Sequence, residues 1–103
     1  METWRTEALI ALLSDSSARE DERDDAAMAL CASDDPRARA VLLRLAGDPG
    51  TEYLVAASAG ESLGEIAART TALEAAEIAL LRPDARTEYH AACRQYSQDH
   101  QGH

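Results

Sequence analysis

Residues 45–53 read Leu45-Ala46-Gly47-Asp48-Pro49-Gly50-Thr51-Glu52-Tyr53, and 36 positions later residues 81–89 read Leu81-Arg82-Pro83-Asp84-Ala85-Arg86-Thr87-Glu88-Tyr89. Leu, Asp, Thr, Glu and Tyr recur in order, and Ala56 and Ala92 continue the match. Asp and Thr-Glu-Tyr are not generic helix filler, so the recurrence reads as a structural repeat. A weaker copy lies 33 positions upstream: Leu12 and Asp15 stand for Leu45 and Asp48, and Ala26 and Leu30 for Ala59 and Leu63. Units of this length fit two antiparallel helices joined by a short turn. One such pair cannot bury its apolar stripe alone, so pairs stack and share a core. The aspartate at the turn is expected to accept hydrogen bonds from the free N–H groups that open the next helix.

The composition agrees with helices and excludes a sheet. Within the 103 residues there is no Phe and no Lys, and alanine and leucine dominate the apolar set. Alanine is the best helix former, whereas strands favour the β-branched and aromatic residues that are scarce here. Apolar spacing and stop signals predict six helices, at about Thr3–Leu13, Ala18–Ala32, Pro36–Ala46, Thr51–Ala68, Thr71–Leu81 and Ala85–Tyr96. Trp4, Leu9, Ile10, Leu12 and Leu13 form the expected apolar side of the first. Pro36 suits the first turn of the third, where a missing N–H costs nothing. Gly60 and Gly64 weaken the fourth helix unless a neighbouring helix crosses it very close. The fold class is therefore all-α, an α-solenoid of about three antiparallel helix pairs with no β-sheet. It forms one domain over residues 1–97, followed by a flexible polar tail at 98–103.

The formal net charge is −9, with 19 acidic residues against 10 arginines. Nucleic-acid binding needs cations facing phosphates, so this balance argues against it and favours a basic protein partner. An acidic surface also keeps a small protein dispersed, as a monomer or weak dimer. No apolar run approaches the ~18 residues a membrane span needs, and the first residues lack a signal-peptide layout. The expected location is the cytoplasm, with Cys31 and Cys93 reduced.

Three blocks carry a family resemblance: Ala26-Ala27-Met28-Ala29-Leu30; Asp35-Pro36-Arg37-Ala38 with Leu42-Leu43-Arg44-Leu45; and Asp48-Pro49 followed by Val55-Ala56-Ala57-Ser58-Ala59-Gly60-Glu61-Ser62-Leu63-Gly64-Glu65-Ile66. Together they resemble short, alanine-rich bacterial HEAT-repeat proteins over about residues 8–93. The third unit departs from the pattern. Where Leu63 and Ile66 would recur stand Asp99 and Gly102, so this unit is expected to be a cap with a shortened last helix. The resemblance implies scaffolding and protein binding rather than a reaction. Small acidic members look similar to immunity proteins, which neutralise a toxin by covering it.

In such stacks the second helices of the pairs line one side. On the fourth helix Leu54, Ala56, Ala59, Leu63, Ile66 and Ala67 are expected to face the core, leaving Ser58, Glu61, Ser62, Glu65 and Arg69 outward. The matching outward positions are Asp21, Asp24, Asp25 and Met28 on the second helix and Glu88 and Arg94 on the sixth. These residues make an acidic ribbon suited to a basic patch on a protein, although the same charges also suit an ordinary solvated face.

Chemistry-bearing groups are sparse. Asp24-Asp25 and Asp34-Asp35 fit surface and helix-cap roles better than acid–base work. His90 and Cys93 share a helix face, but no further ligand at suitable spacing completes a metal site. Cys31 and Cys93 read as small core residues. There is no phosphate loop, dinucleotide fingerprint or nucleophile motif. The expectation is a non-enzymatic binding module with no cofactor, acting by occlusion of a basic protein, with immunity or inhibition as the specific form. The rival readings are an adaptor or structural subunit docked through an apolar edge, an enzyme or lyase-like chaperone of a cofactor, the role the resemblance implies for some HEAT-repeat relatives, and an acidic mimic of DNA.

Overall fold

The computed structural model describes residues 1–100 and is all-helical over that span. Six α-helices follow one another: α1 (Thr3–Ser14), α2 (Glu20–Ala29), α3 (Pro36–Gly47), α4 (Tyr53–Arg69), α5 (Ala75–Leu80) and α6 (Pro83–Asp99). A 3-10 turn, Leu30–Ala32, extends α2. Among the described residues there is no strand, and no helix is long and apolar enough to cross a membrane.

A 33-residue period governs the local structure. The first, third and fifth helices end at Ser14, Gly47 and Leu80, spaced by 33 each time. Just before those ends, the carbonyls of Leu12, Leu45 and Ile78 accept from the N–H three residues on, at 3.2, 3.4 and 3.1 Å. The next turn repeats as well. The Asp15 carboxylate accepts from the Ser17 N–H at 2.9 Å and that of Asp48 from the Gly50 N–H at 2.8 Å. In both turns the aspartate carbonyl then accepts from the N–H three residues on, at Ala18 and at Thr51, over 3.1 Å. These aspartates shape the turn rather than cap the helix. Asp35 is the one that caps directly, accepting from the Arg37 N–H at 2.9 Å ahead of Pro36.

The period slips at the last helix, so the more conspicuous 36-residue sequence match does not describe equivalent places. Tyr53 is the first residue of α4 and 65% exposed, whereas Tyr89 is the seventh residue of α6 and 3% exposed. Pro83 is the cause. Its fixed φ suits a first helical turn, so α6 starts there and takes Asp84 into the helix. As a result α6 has 17 residues, as many as α4, and the expected shortening falls on α5, which has 6. Residues 71–74 stay outside α5: the Glu74 N–H bonds Glu77 Oε1 at 2.9 Å, and the Leu73 N–H is held by the Tyr89 hydroxyl at 3.0 Å. Helix α6 also runs through 97–99, which the sequence assigns to the domain edge and a loose tail. The end of that tail, residues 101–103, lies outside the described residues.

Helix α4 is the hub, packing on α2, α3 and α6, while α1 packs on α2 and α3. Leu13, Leu30, Leu42, Val55 and Leu63 are fully buried, each worth about 1.5–3 kcal/mol relative to exposure. Alanines fill the spaces between them: Ala26, Ala27, Ala38, Ala46, Ala56, Ala59 and Ala85. Such small side chains let helices approach closely, and Gly60 and Gly64 take this to its limit. A Cβ on Gly60 would overlap the Ala85 carbonyl oxygen, and one on Gly64 would overlap that of Tyr89. The close crossing expected from the two glycines is the α4–α6 contact. Two residues expected in the core are outside it: Trp4 is 68% and Leu54 53% exposed. Each lies on the outward side of its helix: Leu54 shares a stripe with Glu61 and Glu65 while Val55 and Ala56 beside it are buried, and Trp4 shares one with exposed Ala11, opposite buried Thr6 and Leu13.

Candidate functional site

The helices α2, α4 and α6 bring most of the expected ribbon together. Asp24 on α2 is half-buried and accepts a hydrogen bond from the Ser58 hydroxyl on α4. Glu61 follows one turn later on α4, with Glu65 a further turn on. Glu88 on α6 lies close enough to Glu61 to act on its titration, as do Glu65 and Asp24. Burial first, and these three carboxylates next, push the Glu61 carboxyl above its usual range. Four acidic groups from three helices thus share one electrostatic neighbourhood.

The remaining ribbon residues divide by their partners. Asp21 is exposed but engaged by Arg19, whose guanidinium donates to it at 2.9 and 3.0 Å and holds its carboxyl below the usual range. Asp25, Met28 and Arg94 are exposed. Ser62 is the clear correction: it is 1% exposed, and its hydroxyl donates to the Ala27 carbonyl at 2.6 Å, so it belongs to the α2–α4 interface. Arg69 is also committed, donating to Asp34 Oδ1 at 2.8 and 3.0 Å and to the Ser33 carbonyl. It therefore ties α4 to the turn before α3 and leaves the carboxylates of its own helix without its charge.

Beside Glu61 and Glu65 the surface is concave. A groove of about 420 Å³ runs between α4 and α6, lined by Glu61, Glu65 and Arg69 on one helix and by Ala92, Gln95, Tyr96, Asp99 and His100 on and just after the other. The Tyr96 and His100 rings stack at 3.9 Å and 17°, and His100 Nδ1 lies 2.8 Å from the Tyr96 carbonyl. The α6 half of this groove is absent from the sequence-derived ribbon. The signal for it is Pro83: a helix opening there and matching α4 in length carries Tyr96 and Asp99 in its final turns.

Both cysteines are free and half-buried, not fully internal. Burial, with Glu65 next, raises the Cys31 thiol, so it is held protonated rather than activated. Cys93 Sγ rests 3.4 Å from the Gly64 carbonyl. Among the described residues no group of three or more His, Cys, Asp or Glu is placed to hold a metal ion.

No protein-family model, curated protein or solved structure matches this chain.

Proposed function

We propose that this chain is a short HEAT-like stack of three helix pairs that binds a basic protein by covering it, with the acidic face of α2, α4 and α6 as the contact surface. The observation that carries this reading is the convergence of Asp24, Glu61, Glu65 and Glu88 from three separate helices. Arg69, the nearest guanidinium on α4, is spent on Asp34. Like charges gathered on one face cost folding free energy, and an opposite-charged partner relieves that cost. The 33-residue recurrence of helix ends and turn bonds supports the repeat reading. Immunity or inhibition is the form of function in which occlusion alone suffices, and no reaction is needed.

The test is capture of partners from a native lysate with the tagged protein, washed at low and at high salt. A basic protein held at low salt and released at high salt supports the reading, because exposed charge pairing is screened. Reversing Glu61 and Glu65 to Arg should weaken that complex several-fold, and unchanged affinity sinks the acidic-face reading. A partner that survives high salt favours the second reading, an adaptor docked through an apolar edge. Exposed Leu80 at the end of α5 is the observation on that side.

A further inference from the structure

We propose that the α4–α6 groove is an arginine seat, taking a guanidinium from the basic partner in preference to a lysine ammonium. This rests on the acidic-face reading and adds the chemistry of the anchor. One wall carries the carboxylates of Glu61 and Glu65, and neither is in an ion pair among the described residues. The opposite wall carries Tyr96, one face of whose ring is covered by the stacked His100 ring. A carboxylate wall alone accepts any cation. An aromatic wall facing it does not treat cations alike. Guanidinium is flat and weakly hydrated, forks onto a carboxylate and lies against a ring at the same time. An ammonium is a strongly hydrated point charge and gains little from the ring. Ala92, on the α6 wall one turn before Tyr96, is small and leaves room there, and Arg69, which lines the α4 wall, has its guanidinium held by Asp34.

The experiment titrates the full chain with two blocked peptides, acetyl-(Gly-Arg)3-amide and acetyl-(Gly-Lys)3-amide, by amide chemical-shift mapping and calorimetry. The expected result is about three-fold or tighter binding of the arginine peptide, with shifts centred on Glu61, Glu65, Ala92 and Tyr96. Tyr96→Leu should abolish the arginine preference while leaving salt-sensitive binding of both peptides, and His100→Ala should reduce it. Equal affinity of the two peptides, or a preference that Tyr96→Leu leaves intact, overturns the arginine seat and leaves the acidic face standing. Failure of both peptides to bind at low salt overturns the seat and the acidic face together. Thermal melts of both variants establish that any loss is local.

Discussion

The Ser62 hydroxyl donates to the carbonyl oxygen of Ala27 across 2.6 Å, inside the interface that joins α4 to α2. A serine in a helix usually turns its hydroxyl to water or to its own backbone. Here it reaches the neighbouring helix, and an alanine-lined contact lets it do so. Ser62→Ala should cost about 1 kcal/mol, the net worth of one such bond. Ser62→Leu should cost more, about 2–3 kcal/mol, because the site has no room for a larger side chain. Urea midpoints of the two variants check the order.

The two glycines of α4 should resist the exchange that normally strengthens a helix. Alanine for glycine in a helix interior gains up to about 1 kcal/mol. At Gly60 and Gly64 the added methyl meets a backbone carbonyl of α6, which cannot rotate away. Gly60→Ala and Gly64→Ala should each be net destabilising by about 1–3 kcal/mol. A melting temperature equal to or above that of the parent chain would refute the close crossing.

Tyr53 and Tyr89 offer a direct comparison of two residues that the sequence presents as equivalent. Removing the Tyr89 hydroxyl strands the buried Leu73 N–H, so Tyr89→Phe should cost about 1–3 kcal/mol. Tyr53→Phe should stay within about 0.5 kcal/mol, since its side chain stands in water. Equal effects would restore the 36-residue register that the helix starts contradict.

Glu52 and Glu61 should respond to acid in opposite directions. A hydrogen bond from its own backbone N–H, and next the Arg23 guanidinium, hold the Glu52 carboxyl below the ordinary value of 4.5. Its contribution is therefore present above 4.5 and lost as pH falls through the lower folded value. Arg23 is 6% exposed and also donates to the Leu13 carbonyl at 3.1 Å, so it depends on Glu52 for its remaining charge compensation. Glu52→Gln should cost about 1.5–3 kcal/mol at neutral pH. Glu61, raised by burial and by its acidic neighbours, stabilises most below 4.5 and loses that contribution as pH rises through its folded value. Glu61→Gln should thus gain about 0.5 kcal/mol or less at neutral pH, since the carboxyl is only partly buried and solvent still screens it, and nothing in acid. Thermal melts on either side of 4.5 separate the two cases.

What the sequence made legible follows the physics of each residue. Gly60 and Gly64 were readable because a helix tolerates paired glycines only when something presses on it. The ends of α1 and α3, and the starts of α3 and α4, were readable within a residue or two from Pro36, the apolar spacing and the two aspartates of the turns. Ser62 was misread because polarity points outward on average, and one hydroxyl can be satisfied by a carbonyl 35 positions away. Trp4 and Leu54 were misread because being apolar outweighed their angular position: at 100° per residue Trp4 lies opposite Thr6 and Leu13, and Leu54 falls on the stripe of Glu61 and Glu65. The bond from Arg69 to Asp34, and the groove that Tyr96 completes, arise only from tertiary contact. No local spacing encodes them.

Helix α5 has six residues and none of them is fully buried. It is held mainly from its flanks, through Leu73 on the Tyr89 hydroxyl, the Thr71 carbonyl on Arg39, and the Arg82 N–H on the Ala46 carbonyl. Opening it exposes little apolar surface and breaks few bonds, so it can unravel while the remaining helices stay assembled. In deuterated water its amides should exchange first among the helices and those of α4 last. A protease added to the native protein should make its first cut between Thr71 and Leu80.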